Sequence, residues 1–476
     1  MVNLSLLYRP TLLLGVTLAA AGQPYARDAA AQQPVAPGTI QPLQPLAPSP
    51  GGPTPGGPGH APPPVYPQGP TAEQDSVRER DRPEFQPLGL ELDSLLSEVG
   101  LVSRRAAADR RSALASFVVF PRLEFETGYD SNLFRSKQET SDTVFAVSPS
   151  VEIKSDWAVH ALELAGAAKV GRHRRTASED YEDFMGRASG RLDMTDDLAL
   201  IGTVELGQTH QARGGLIDAG DTSSATVIEE TKLHLGTTYR LAQLTLSGGI
   251  NSEYFDYQSS ATADNDDLDH AEHRAKARAS WEVDPGTSVF VQPRYNLRRY
   301  DRKTDSAGFE QDSHGMDILA GVRWDASGVT FAEFGIGYLR HDFDESRFSA
   351  INAPTASAKA IWNFTDLWTL TLDLSRTVSE TADVDFSGVL NTRFKSRLDY
   401  EFRYNTIVSA RFEYGDEDYR GSERSDERFI AGFGVKHLIN QNFFAELRLD
   451  HERLSSSVDT EDFRVTTASL RLGTYI

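Results

Sequence analysis

The chain has 476 residues, 39% of them hydrophobic, with 69 acidic against 48 basic side chains, a formal charge of −21 and no cysteine. Without cysteine there is no disulfide framework, thiolate metal site, cysteine nucleophile or lipid-modified cysteine. The acidic balance argues against nucleic acid as a partner, which calls for a basic face. A mean hydropathy of −0.41 with no long internal apolar run excludes a helical membrane protein, whose spans each need ~20 apolar residues.

The chain opens with a short basic start at Met1–Arg9, an apolar stretch from Thr11, and Ala19-Ala20-Ala21. That order predicts a secretory signal over 1–21. Residues 34–70 then hold 14 of the 23 prolines. A stretch so poor in donors and apolar bulk cannot build a core, so 22–87 are predicted to be a disordered periplasmic leader. Between 88 and 116, Leu88, Leu92, Leu95, Leu96, Val99 and Val102 fall at helical spacing and predict a short amphipathic helix or linker.

From 117 to 476 the pattern changes to strict alternation. In Leu390–Phe402, Leu390, Phe394, Leu398, Tyr400 and Phe402 occupy even positions, opposite Arg393, Lys395, Arg397, Asp399 and Glu401. Side chains two apart share a strand face, so one face is apolar and the other charged. Such segments start near 119, 144, 158, 181, 197, 229, 243, 270, 287, 312, 329, 350, 367, 388, 406, 427, 442 and 463. Their connections alternate short and long. The acidic runs 264–269, 342–345 and 416–418 fall in the long ones, which puts much of the negative charge on one rim.

Short turns on one rim, long loops on the other and an even strand count predict an all-β fold: a transmembrane antiparallel up-and-down β-barrel of about 18 strands over 117–476. Closure follows, because a lipid-facing edge would leave backbone groups unpaired. A soluble sandwich or β-helix would need a packed apolar inner face, which these charges deny. Trp157, Trp281, Trp324, Trp362 and Trp368 all lie near predicted short turns and so form a candidate periplasmic aromatic girdle.

Parity places Arg274, Lys276, Arg278, Arg294, Arg393, Lys395, Arg397, Arg411, Glu446, Arg448 and Asp450 on the lumen wall. A mixed-sign wall of this kind suits cross-strand ion pairs and a hydrated path for polar solutes. No Gly-x-Ser-x-Gly or His-Glu-x-x-His occurs, and His270-Ala271-Glu272-His273 lies at a loop-to-strand junction, where neighbours point apart. Asp264–Asp269 fails as a calcium loop, since Ala275 stands where the closing Glu belongs. No enzyme, cofactor or metal is expected.

Phe120-Pro121-Arg122-Leu123-Glu124, followed by Tyr129-Asp130-Ser131-Asn132-Leu133-Phe134-Arg135, resembles the first-strand motif of an outer-membrane β-barrel porin family associated with exopolysaccharide export. The resemblance implies a conduit for secreted exopolysaccharide or capsular polysaccharide, working with periplasmic export proteins. The residues themselves leave open a passive porin for small polar solutes, or a surface adhesion barrel with a closed lumen. Expected partners are outer-membrane lipid, lipopolysaccharide and the outer-membrane assembly machinery.

Overall fold

The computed structural model describes residues 113–114, 116–211, 213–215, 224–259, 264–305, 308–326, 330–379 and 388–475. The predicted signal, the proline-rich leader and nearly all of the predicted amphipathic helix lie outside these residues. No helix among them is long and apolar enough to cross a membrane.

After a two-residue strand β1 (Ala113–Leu114) come β2 (Phe117–Asp130), β3 (Asp142–Ser155), β4 (Ala161–His173), β5 (Tyr181–Asp193), β6 (Leu198–His210) and β7 (Val227–Leu241). They are followed by β8 (Leu244–Tyr257), β9 (His270–Asp284), β10 (Thr287–Tyr300), β11 (Ser313–Ala326), β12 (Thr330–Phe343) and β13 (Ile351–Thr365). The last six are β14 (Trp368–Ser379), β15 (Gly388–Arg403), β16 (Thr406–Arg420), β17 (Ser425–Leu438), β18 (Phe443–Ser456) and β19 (Phe463–Tyr475). The largest offset from the starts read off the alternation is at 158, where β4 begins at Ala161. A one-turn 3-10 helix at Ala177–Glu179 interrupts one long loop.

Each strand from β2 to β19 pairs antiparallel with its sequence neighbours, and β19 returns to β2, from Thr467 opposite Asp130 to Tyr475 opposite Arg122. These eighteen strands close the ring, and β1 adds a short rung to β2. Closure leaves no ladder groups facing lipid. Turn chemistry sets the short rim. Between β9 and β10, Pro285-Gly286 makes a two-residue turn with Gly286 at φ 78°, a left-handed value that glycine adopts without strain. Ala242 takes φ 51° in the turn from β7 to β8, which is costlier for a residue with a Cβ.

One sequence expectation is corrected. Asp416-Glu417-Asp418 does not lie in a loop: β16 runs to Arg420, and the loop is only 421–424. Glu417 is buried on the strand, 1% exposed, with its carboxylate 3.6 Å from Arg428. The acid run is interrupted by parity, because alternate members of a strand face opposite ways.

Candidate functional site: the lumen and its mouth

Which face is concave is decided by one ion pair. Arg278 on β9 donates to both oxygens of Glu333 on β12, at 2.8 and 2.9 Å, although β10 and β11 lie between them. Three strand spacings amount to ~14 Å, a gap these side chains close only across the inside of a curved sheet. Between them the guanidinium lies 3.6 Å above the Phe290 ring. Phe290 in turn covers Gly321 and Gly335, its register neighbours on β11 and β12. A Cβ at Gly321 would come within 2.5 Å of that ring. The alternate face carries Val289, Val291, Ile318, Val322, Phe334 and Ile336, all exposed, as a lipid-facing surface requires.

Most of the charges read as lumen-lining are held in ion pairs. Arg274 bonds Glu253 at 3.1 Å and also Glu272. Arg294 meets Asp317 at 2.7 Å, Arg393 meets Glu413 at 3.3 Å, and Arg397 meets Asp399 at 3.0 Å. Arg448 lies 3.8 Å from Glu446, which also faces Arg471. Arg411 on β16 reaches Asp450 on β18 at 2.7 Å, passing over Gly432 of β17. Lys395 stands in register between Asp373 and Glu413, and Lys276 beside Arg294; neither lysine has a carboxylate within ion-pair distance among the described residues.

The five tryptophans cluster at the short-turn rim. Trp281, Trp324 and Trp362 are about half exposed on strand ends, and Trp157 sits in the turn after β3, packed edge-on against Phe117. Trp362, Phe364, Trp368, Tyr400 and Phe402 form a continuous run of ring contacts across β13 to β15.

The long-loop end holds what the alternation did not reveal. In the loop after β2, Asn132 is fully buried; its amide donates to the carbonyls of Ser136 at 2.7 Å and Arg464 at 3.0 Å. Asp130 accepts from the Asn132 backbone at 2.7 Å and from the Arg135 guanidinium at 2.7 Å, while Arg135 takes φ 51°. The Tyr-Asp-Ser-Asn-Leu-Phe-Arg motif therefore folds its loop down onto β19. Against this platform dock residues 213–215, which follow β6. Arg428 of β17 donates to the Gly214 carbonyl at 2.8 Å, and also pairs with Glu417 and Glu452. Arg213 holds Glu179 at 2.6 Å and lies over the Phe134 ring. β6 and β17 are far apart round the ring, so this tie crosses the mouth. Beneath it is a cavity of about 490 Å³ lined by Phe134, Arg135, Arg424, Arg428, Tyr419 and Phe463, among others.

A second intrusion comes from β14 and β15. β13 stops pairing with β14 at Ala356 opposite Arg376, whereas β14 stays with β15 to Ser379 opposite Val389. Beyond that point Val378 and Leu390 pack on Leu339, Phe343, Ile351 and Ala353 of β12 and β13. Apolar burial, at ~1.5–3 kcal/mol per large side chain, stabilises this inward lean.

Glu310, Asp312 and Asp344 come close enough to share a cation, but the Arg299 guanidinium already lies 3.3 Å from Asp312 and 3.1 Å from Asp344. Asp264 and Asp266 are likewise held by Arg302, at 3.0 and 2.8 Å.

Residues 113–474 match the family described as "Putative beta-barrel porin 2". The chain belongs to this family. Its barrel is thus that of an outer-membrane porin, and the strands cross the bacterial outer membrane. Among solved structures, the porin is similar to the outer membrane protein OpdK of Pseudomonas aeruginosa (13% identity, 75% of this chain and 99% of that one, TM-score 0.42). It is similar also to a BenF-like porin of Pseudomonas fluorescens Pf-5 (11% identity, 75% and 99%, TM-score 0.43). No curated protein matches the chain.

Proposed function

We propose that this porin is a diffusion channel for small polar solutes, entered through a mouth narrowed by its own loops. The observation that carries the reading is the Arg428–Gly214 tie, which bridges the opening from two distant parts of the wall. A bore for a continuous polymer needs an unobstructed cross-section, whereas a small solute needs only a gap beside the tie. The eleven charges named above are taken as the lumen wall and the five tryptophans as the periplasmic girdle, with the proline-rich leader on the periplasmic side. Internally paired charges make a hydrated wall without a tight binding site, as fast passage requires.

A conduit for exopolysaccharide, serviced by periplasmic export proteins, is the second reading, favoured by the resemblance of the 120–135 motif. Swelling of liposomes carrying the protein, with neutral and charged saccharides of increasing length, separates the two. Passage of mono- and disaccharides with a sharp size limit supports diffusion. Passage of long chains at comparable rates overturns it, and no swelling with any solute removes both.

A further inference from the structure

We propose that Arg453 and Arg464 form a binding site on the outer wall of the barrel for the phosphate groups of a glycolipid in the outer leaflet. The two residues are direct cross-strand partners on β18 and β19, and both are exposed. They lie on the lipid side: Leu447 and Leu449 on β18, and Leu470 and Leu472 on β19, share their parity and are exposed, while Leu454, Phe463 and Val465 beside them are buried on the inner face.

Their height is fixed by counting. On β18 the outward positions run Phe443, Ala445, Leu447, Leu449, His451 and Arg453. Ten residues at ~3.3 Å each, tilted ~40°, climb ~25 Å, the height of the apolar band of such a barrel. The polarity changes where that band should end. His451 bonds Thr466 at 2.9 Å, and the next rung outward is Arg453–Arg464. This is the level at which lipid headgroups begin.

Like charges set directly opposite destabilise a sheet, whereas two other outward arginines of this rim each have a carboxylate beside them. Arg340 is held by Asp342, and Arg420 by Asp418, each within its own strand. At the Arg453–Arg464 rung, Glu139 meets Arg464 at 2.8 Å, but Arg453 has no carboxylate within ion-pair distance among the described residues. The acidic rung Asp416–Glu427 stands one step further out, with Glu427 accepting from the Tyr414 hydroxyl at 3.4 Å. A phosphate at the arginine rung would accept hydrogen bonds from both guanidinium groups and relieve their repulsion.

The test uses the full chain, folded in detergent, and native mass spectrometry with a diphosphoryl glycolipid, the same glycolipid without phosphate, and inorganic phosphate as competitor. The double variant Arg453→Gln, Arg464→Gln should bind the diphosphoryl form about tenfold more weakly or worse, and Arg340→Gln should bind it as the parent does. In lipid-free detergent the double variant should melt no lower than the parent, since the like-charge contact is gone. Equal glycolipid binding by parent and double variant overturns the proposal, as does equal binding of the dephosphorylated form. Displacement by stoichiometric inorganic phosphate would assign the rung to free anions instead. A lower melting temperature in detergent would show that the arginines are internally satisfied, which also overturns it.

Discussion

Arg411 and Asp450 form a 2.7 Å ion pair although they sit on strands that are not neighbours, because the residue between them is Gly432. A Cβ at that position would lie 2.0 Å from an Asp450 oxygen and 2.6 Å from Arg411 Cγ. Gly432→Val should therefore break the pair and force both side chains aside. The expected loss is about 1–3 kcal/mol, the usual cost of overpacking, read as a lower transition to the unfolded form in heat-modifiable gel migration. Gly186, whose Cβ would meet nothing within 4 Å, is the control: Gly186→Ala should leave that transition in place.

The tie across the mouth predicts a change in flux. Arg428→Lys keeps the charge near Glu417 and Glu452 but loses the planar fork that also reaches the Gly214 carbonyl. Single-channel conductance should rise and the size limit for saccharides should relax, with the barrel still folded. Unchanged conductance would mean the tie does not limit passage. Arg428→Ala is the harsher variant, because stranding buried carboxylates costs about 3–5 kcal/mol.

The segment 264–269 leading into β9 should respond to pH. Burial, together with the Asp256, Asp266 and Asp301 carboxylates, pushes Asp269 up to about 6 from the ordinary 3.8, against the opposing bond from the Tyr257 backbone N–H at 2.7 Å. The folded loop thus holds this proton more tightly than the unfolded chain does. Its stabilisation is complete below about pH 4 and fades as pH rises through about 6. Proteolysis within 264–269 should speed up between pH 5 and 7.5 in the parent, while Asp269→Asn flattens that ratio. An equal pH response in both would remove Asp269 as the cause.

Lys276 and Lys395 should bias ion selectivity, since neighbouring lumen charges are largely neutralised in pairs. Replacing both with glutamate should move the reversal potential in a salt gradient towards cations, and replacing Lys359 alone, which faces Asp373 in register, should move it less. Cysteines placed singly at Phe394 and Arg397 test the parity beneath this argument: water-soluble maleimide should label 397 and spare 394.

The girdle makes a spectroscopic prediction. Lipids brominated near the headgroup should quench the tryptophan fluorescence more than lipids brominated at the chain ends, because all five rings lie near one rim. The reverse order would place them at mid-membrane.

The barrel was legible because lipid and water impose a two-residue period that survives in sequence, as in Leu390–Phe402. Parity also found the Arg278 and Arg411 faces. It could not find their partners, since Glu333 and Asp450 are reached over strands thinned by Gly321 and Gly432, and contact across a non-adjacent strand leaves no local pattern. The mouth was hidden for a related reason. Gly214 and Arg428 meet at a sequence separation of 214 residues through a backbone carbonyl, which every residue type supplies. Only the Asp130–Asn132 motif signalled that this end is built, and it did so by resemblance.

Finally, the seam between β19 and β2 sets the order of events during biogenesis. Residues 122–130 find their partners in 467–475, so the first barrel strand must wait, held apart from lipid, until the last one has been made. Loss of that last strand would not give a slightly narrower pore. It would expose two unpaired edges, and the chain would remain an open sheet that no bilayer can accept.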